Sequence, residues 1–470
     1  MVSRESKKIM RPTIVLLVVG LTPRHLGSLT PNITRLASAG AWRPLATVTP
    51  AVTCSVQATF MTGTQPRSHG AVANGWLFRD LMEVWFWRQS NRLIEGEKVW
   101  EAGKRRDARF TCANLFWWYN MAATHDIGLT PRPQYRVDGR KLPDCYAVPA
   151  SLREELTALL GAFPLFQFWG PATDISSSRW IAEATKHVVA QSAPSLTLVY
   201  LPHLDYDLQR HGPDESHPRV AASLREIDGV AGDLIDFAQT RGCHVIVLSE
   251  YGMSRVDTPI HINRALREAG LLGVRCEDGR ELLDPATSRA FAVADHQIAH
   301  IYVEDDALTE PVRRIVRQLA GVEEVLDRQG QKGIALDHPR SGELVALAAR
   351  HAWFTYYYWL DDARAPDFAR TVEIHRKPGY DPVELFIDPA IRFPKLAVGA
   401  RLAKRWLGQR AVMDVIPLDA SLVRGSHGRA DLGGSDGPIF ITSDPRALEQ
   451  DVVSAVDVKR LVLSHVFSDA

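Results

Sequence analysis

Thr49-Pro50-Ala51-Val52-Thr53-Cys54-Ser55-Val56-Gln57-Ala58-Thr59-Phe60-Met61-Thr62-Gly63, closed by Pro66-Arg67-Ser68-His69-Gly70, is the stretch on which the reading of this chain turns. An apolar strand ends in a hydroxyl residue, a helical pattern begins at once, and a Gly and a His-Gly turn follow. Such an elbow holds a hydroxyl at the positive end of a helix, where backbone amides and the dipole favour an anion such as phosphate. A hydroxyl is a poor nucleophile until a base or metal removes its proton, so the reading depends on partners elsewhere in the chain.

The surrounding chain has the rhythm of a parallel sheet covered by helices. Thr13–Val19, Arg43–Thr49, Phe110–Ala113, Leu196–Leu201 and His244–Leu248 read as strands. Ile33–Ala39, Ser178–Ala190 and Ala221–Gln239 read as the helices between them, and Ile262–Gly270 as a helix stopped by glycine. Ala290–Ala294 and Ile298–Val303 read as later strands, and Leu308–Leu319 as a helix. Two regions break the alternation. Residues 75–146 are dense in aromatics, and residues 353–424 open on Phe354-Thr355-Tyr356-Tyr357-Tyr358-Trp359 before many prolines and charges. Each reads either as aromatic core filler or as a pocket for an organic group. The expected fold is α/β, a three-layer α/β/α sandwich with a mostly parallel central sheet and inserted cap segments. Residues 1–11 read as a flexible tail and 12–470 as one domain, with insertions near 75–146 and 353–424.

Bulk composition narrows the function. The 470 residues hold 55 basic and 55 acidic side chains, which supports neither a nucleic-acid groove nor a polybasic membrane patch. The five cysteines are odd in number, scattered and never in a CxxC pair, which points to a reducing, cytoplasmic setting with no thiolate zinc site. The apolar run after Arg11 is short for a signal peptide and reads as a buried first strand. No segment approaches the ~20 apolar residues that span a bilayer. The partner expected is a small molecule, with no nucleic acid and no membrane.

In open parallel sheets, sites gather beyond the carboxyl ends of the strands. Gly20-Leu21-Thr22, Thr53, the run from His203 through Asp205, Asp207 and Gln209 to His211, and Ser249-Glu250-Tyr251 would meet there. The loop Arg424-Gly425-Ser426-His427-Gly428 precedes a last strand at Ile439–Thr442.

These motifs, in this order from about Pro12 to Thr442, resemble the alkaline phosphatase superfamily, nearest its nucleotide pyrophosphatase/phosphodiesterase and phosphonoacetate-hydrolase branches. The resemblance is strongest over Thr49–Asn74 and includes Thr30-Pro31-Asn32-Ile33-Thr34-Arg35-Leu36. It implies two divalent metals, usually zinc, flanking a nucleophilic threonine that forms a phospho-threonine later cleaved by water. Thr53 falls on the nucleophile, Asp205 on a metal-binding aspartate and His427 on a late metal-binding histidine. Gln209 stands where the family has histidine, Glu250-Tyr251 where it has Asp-His, and Val19 where it has an aspartate. Val56 replaces an asparagine that contacts phosphate, leaving Gln57 as the nearest amide; Asn74 matches a further substrate contact.

The resemblance therefore implies Thr53 as catalytic residue, Asp205, Gln209, Glu250 and His427 as metal ligands, and Asn74 and Gln57 as substrate contacts. One metal site keeps Asp205 and His427 with the Gln209 carbonyl oxygen; the other keeps only Thr53 and Glu250. Such a hard-oxygen set suits magnesium, manganese or calcium better than zinc, and the cofactor expected is one or two divalent ions of the zinc, manganese or magnesium class. One retained metal or a rearranged pair is expected, with His203, Asp207, His211 and His261 available for recruitment. The function expected is metal-dependent hydrolysis of a phosphodiester or pyrophosphate bond. A pseudoenzyme that binds a phosphorylated ligand, and a phosphonate hydrolase or phosphoryl transferase, stand as alternatives.

Overall fold

The computed structural model describes residues 10–137, 140–409 and 411–467. Of the expected tail, residues 1–9 lie outside the described residues. Nine strands form the central sheet, in the order Val453–Ser454, Ala41–Ala46, Ile439–Thr442, His244–Leu248, Thr13–Val18, Leu196–Leu201, Cys112–Leu115, Ile127–Pro131, Cys145–Val148. Thr13–Val18 lies in the middle, parallel to both neighbours, with Leu17 opposite Tyr200 on one side and Leu248 on the other. All six of its residues are buried, which is why it reads as a continuous apolar run and not as an alternating one. Each such Val, Leu or Ile contributes about 1.5–3 kcal/mol. The run after Arg11 is thus the first strand, as its brevity implied.

Helices cover both faces. Pro31–Ala39, Ser176–Ser192 and Pro218–Thr240 pack together on one, and Thr53–Thr62, Val99–Arg106 and Val458–Val466 on the other. The result is a three-layer sandwich. The aromatic stretch 75–146 supplies three strands of the sheet itself, at its Cys112–Val148 edge, as well as a separate hairpin of Gly75–Phe78 and Glu83–Phe86.

Beside the sandwich stands a second layer. Ala290–Asp295, Ile298–Val303, Leu344–Ala348 and Val322–Leu326 form an antiparallel four-stranded sheet with its own apolar cluster. Tyr356, Tyr357, Tyr358 and Trp359 all lie at or below 1 % exposure in that cluster. Of the two readings for this aromatic run, the core filler holds.

The topology brings distant loops to one edge. The Thr13–Val18, Leu196–Leu201 and His244–Leu248 strands run parallel, so their carboxyl ends share an edge. Ile439–Thr442 is antiparallel to His244–Leu248, so its leading loop, with His427, reaches the same edge from the opposite direction. Ala41–Ala46 is antiparallel in turn to Ile439–Thr442, which returns its carboxyl end, and the elbow beyond it, to that edge. Two glycines permit the close approach. A Cβ on Gly20, whose φ is +77°, would stand 2.8 Å from Leu208 Cδ1, and one on Gly425 would stand 2.1 Å from the Leu208 carbonyl oxygen.

Candidate active site

The Thr53–Thr62 helix is buried on every side, so its first turn is fixed in place by packing all round. Asn74 pins its start: the side-chain oxygen accepts the Cys54 N–H at 2.9 Å. Asn74 is held in turn by Asp295, which accepts its backbone N–H at 2.7 Å and its side-chain N–H at 3.1 Å. Burial pushes the Asp295 carboxyl up to about 7. Cys54 is buried beneath this contact as a packed small side chain.

From Thr53 a chain of hydrogen bonds runs in two directions. Its hydroxyl donates to Glu250 Oε2 at 3.2 Å and lies 3.4 Å from the Tyr251 hydroxyl. Gln57, one turn along the helix, donates to Glu250 Oε1 at 2.6 Å and accepts the Trp118 backbone N–H at 2.7 Å. The Tyr251 hydroxyl donates to Asp205 Oδ1 at 3.3 Å, and Gln209 Nε2 donates to Asp205 Oδ2 at 2.6 Å. The Gln209 carbonyl oxygen accepts the Tyr380 hydroxyl at 2.8 Å. All four carboxylate oxygens thus accept a hydrogen bond from an uncharged donor. Burial is the main reason that Asp205 is pushed up to about 7 and Glu250 to about 8. Glu250 has no exposed surface, whereas Thr53 keeps 4 % and Asp205 6 %.

His427 completes the cluster. Its ring stacks on Tyr251, centroids 3.6 Å apart, and its Nδ1 lies 2.8 Å from the Ala51 carbonyl oxygen. A carbonyl only accepts, so Nδ1 carries the proton and Nε2 carries the lone pair. Burial pushes the imidazole down to about 3, which keeps it neutral.

Thr53, Asp205, Gln209, Glu250, His427 and Gln57 therefore meet, and Asn74 stands directly behind them. Gln57 and Asn74 each have both oxygen and nitrogen engaged within the protein. The four residues considered for recruitment stand apart from this network. His203 contacts Glu226 at 2.9 Å, Asp207 pairs with Arg210 at 3.1 Å and Arg219 at 3.0 Å, and His211 stacks on His217. His261 meets the Thr355 hydroxyl at 2.7 Å.

Three members of the cluster were not legible as such. Tyr251, read as a lost ligand, bridges the two acids. His296 sits at the turn between Ala290–Asp295 and Ile298–Val303, its ring 3.6 Å from His427 and 3.7 Å from Tyr380. Its Nδ1 is buried with no hydrogen-bond partner. Tyr380 is carried on a strap anchored by buried Lys377, which pairs with Asp381 and Glu384 at 2.7 Å each. Lys377 is thereby a structural cation. The dipeptide Asp295-His296 was the available signal, but it lies between strands of the second layer, outside the expected motif order.

The donor set does not fit the two-metal centre that the resemblance implied. Val19 and Tyr251 offer no ligand on the Thr53–Glu250 side. Among the described residues no three His, Cys, Asp or Glu side chains form a ready-made metal cage. On the other side the neutral, carbonyl-oriented His427 and the Asp205 carboxyl retain the character of metal ligands.

A hydroxyl at a helix start, at the carboxyl edge of a mostly parallel sheet and beside two buried acids, defines the phosphoester-hydrolase class of the alkaline phosphatase superfamily. The chain belongs to the type I phosphodiesterase / nucleotide pyrophosphatase family, whose model matches residues 13–381. It is 26 % identical over 242 residues to an uncharacterized pyrophosphatase/phosphodiesterase of Schizosaccharomyces pombe, an alignment covering 48 % of this chain and 41 % of that protein. Its fold is similar to phosphonoacetate hydrolase from Sinorhizobium meliloti solved with phosphonoformate, with TM-score 0.61 and 15 % identity over 98 % of this chain and 96 % of the other. Murine ectonucleotide pyrophosphatase/phosphodiesterase 5 gives TM-score 0.58 and 14 % identity over the same shares. Members of this family typically depend on divalent metals.

Proposed function

We propose that this protein hydrolyses the phosphodiester or pyrophosphate bond of a small organic molecule, with Thr53 as nucleophile and Glu250 as its base. The observation that carries the reading is the Thr53 hydroxyl at a helix start, donating to a carboxyl oxygen that Gln57 holds from behind. A nucleophile, a base within hydrogen-bond reach and a third group orienting that base form the arrangement that activated hydroxyls require. Further support comes from a murine ectonucleotide pyrophosphatase/phosphodiesterase 5 with a threonine changed to alanine, described as inactive and solved with AMP.

In this reading Thr53 Oγ attacks phosphorus while its proton passes to Glu250 Oε2, and the alkoxide or phosphate of the substrate departs. Water then cleaves the phospho-threonine and the hydroxyl is restored. Asn74 and Gln57 act by fixing the helix start and the base, not by touching substrate. Asp205 and His427, with the Gln209 carbonyl oxygen, would hold one divalent cation of the zinc, manganese or magnesium class. That ion supplies positive charge for the phosphoryl oxygens when bound. Trp87 and Trp118, with ring centroids 5.0 Å apart, and Tyr380 beside them offer apolar faces for the organic part of a diester. A cytoplasmic setting belongs to the same reading, supported by scattered cysteines of which Cys54, Cys112 and Cys145 are buried thiols.

The test is turnover of an aryl phosphodiester, an aryl phosphonate and a dinucleotide pyrophosphate by purified protein supplied in turn with manganese, magnesium and zinc. Turnover of the diester or pyrophosphate, abolished by Thr53→Ala, is expected. Undiminished turnover by Thr53→Ala removes the threonine from its role. Phosphonate turnover alone reassigns the substrate.

A further inference from the structure

Between Asp388 and Asp414 the chain has no acidic residue and six basic ones, Arg392, Lys395, Arg401, Lys404, Arg405 and Arg410, in a protein whose charges balance as a whole. Pro394–Trp406 within this stretch is a helix. At about 100° per residue, Leu396, Leu402, Trp406 and Leu407 fall within one half of its circumference, together with Ala400, Ala403 and the preceding Phe393. The large ones are open to solvent: Leu396 71 %, Leu402 52 %, Trp406 87 % and Leu407 67 % exposed. The opposite side is the one fastened to the protein. Val398 packs against the second apolar cluster, and Arg401 Nε donates to Asp414 Oδ1 at 2.6 Å. Exposed Lys395 and Lys404 border the apolar face along its two margins.

An exposed apolar patch rimmed by polar groups marks an interaction surface. The charge on its margins selects the occupant. Two copies joined face to face would bring lysine rims of the same sign together, whereas an anionic surface satisfies both rims and apolar floor. A helix with a basic margin and Trp and Leu on its apolar side lies in the plane of a lipid interface, apolar groups among acyl chains and ammonium groups among phosphates. Its thirteen residues are too few to cross a bilayer. We propose that this face docks the protein on the surface of a bilayer rich in anionic phospholipid.

The experiment is co-sedimentation of the full chain with vesicles of phosphatidylglycerol and phosphatidylcholine, and with phosphatidylcholine alone, at low and high salt. Binding to the anionic vesicles is expected, reduced by salt because the attraction is screened, with none to neutral vesicles. Lys395→Gln with Lys404→Gln is expected to weaken binding about thirtyfold, from the usual share of a basic residue near such a surface. Leu402→Glu with Trp406→Glu is expected to abolish it. Both double variants keep the wild-type turnover of a water-soluble substrate, because their side chains are exposed and none belongs to the cluster around Thr53. No binding to anionic vesicles, equal binding to neutral ones, or binding that survives both double variants overturns the proposal. So does self-association in the absence of lipid that Trp406→Glu abolishes, since the occupant is then a second copy.

Discussion

The two sides of the site differ in what holds their acid. On the Thr53 side, Glu250 is wholly buried and both of its oxygens accept bonds from the helix that begins at Thr53. On the Asp205 side, the acid is slightly exposed, its partners are a tyrosine hydroxyl and a glutamine amide, and a neutral histidine stands close by, stacked on that tyrosine. In the proposed function the first side holds and moves a proton and the second holds a cation.

Substitutions on each side sharpen or break that contrast. Thr53→Ala should have the largest effect, lowering turnover at least ~10³-fold with the fold intact by circular dichroism. Glu250→Gln should lower turnover by about 10²–10⁴-fold, the usual contribution of a positioned base, while divalent-cation binding by calorimetry stays unchanged. Asp205→Asn with His427→Ala should instead remove cation binding altogether, and turnover with it. If Glu250→Gln also removes it, the two sides are not separate. Lys377→Ala leaves Asp381 and Glu384 buried without their cation and should cost about 3–5 kcal/mol in urea unfolding. The strap bearing Tyr380 should loosen with it.

The smallest effect concerns pH. Burial raises the folded-state pKa of Asp295 to about 7, so the folded protein binds a proton that the unfolded chain releases near the ordinary value of 3.8. Its contribution to stability is full below about 4 and is lost as pH rises toward 7. Asp295→Asn should flatten the slope of stability against pH over that window. An unchanged slope would show the carboxyl to be ionised in the fold.

Much of this arrangement was legible in the chain because its signals are local. The Thr49–Gly63 elbow, the buried run at Thr13–Val18 and the acids just beyond two strands each declare themselves within a dozen residues. Those signals sufficed for the sandwich and for the meeting of Thr53, Asp205, Glu250 and His427. What escaped depends on contacts between distant segments. Tyr251 looked like a missing ligand because only the fold shows its hydroxyl between two acids. His296 and Tyr380 arrive from a hairpin and a strap of the second layer, whose antiparallel pairing has no counterpart in the helix-strand alternation. The whole-chain charge balance likewise hides the basic, acid-free stretch 389–413, since an average cannot report where charges sit.

The placement of Ile439–Thr442 between Ala41–Ala46 and His244–Leu248 has a consequence for biogenesis. Until that late segment leaves the ribosome, two nearly finished strands present bare backbone donors and acceptors with no mate, the condition in which edges recruit other chains. A nascent polypeptide halted after residue 381 would hold all of the family-matched sequence yet neither that strand nor His427. Such a fragment is a client for a chaperone and not a smaller enzyme.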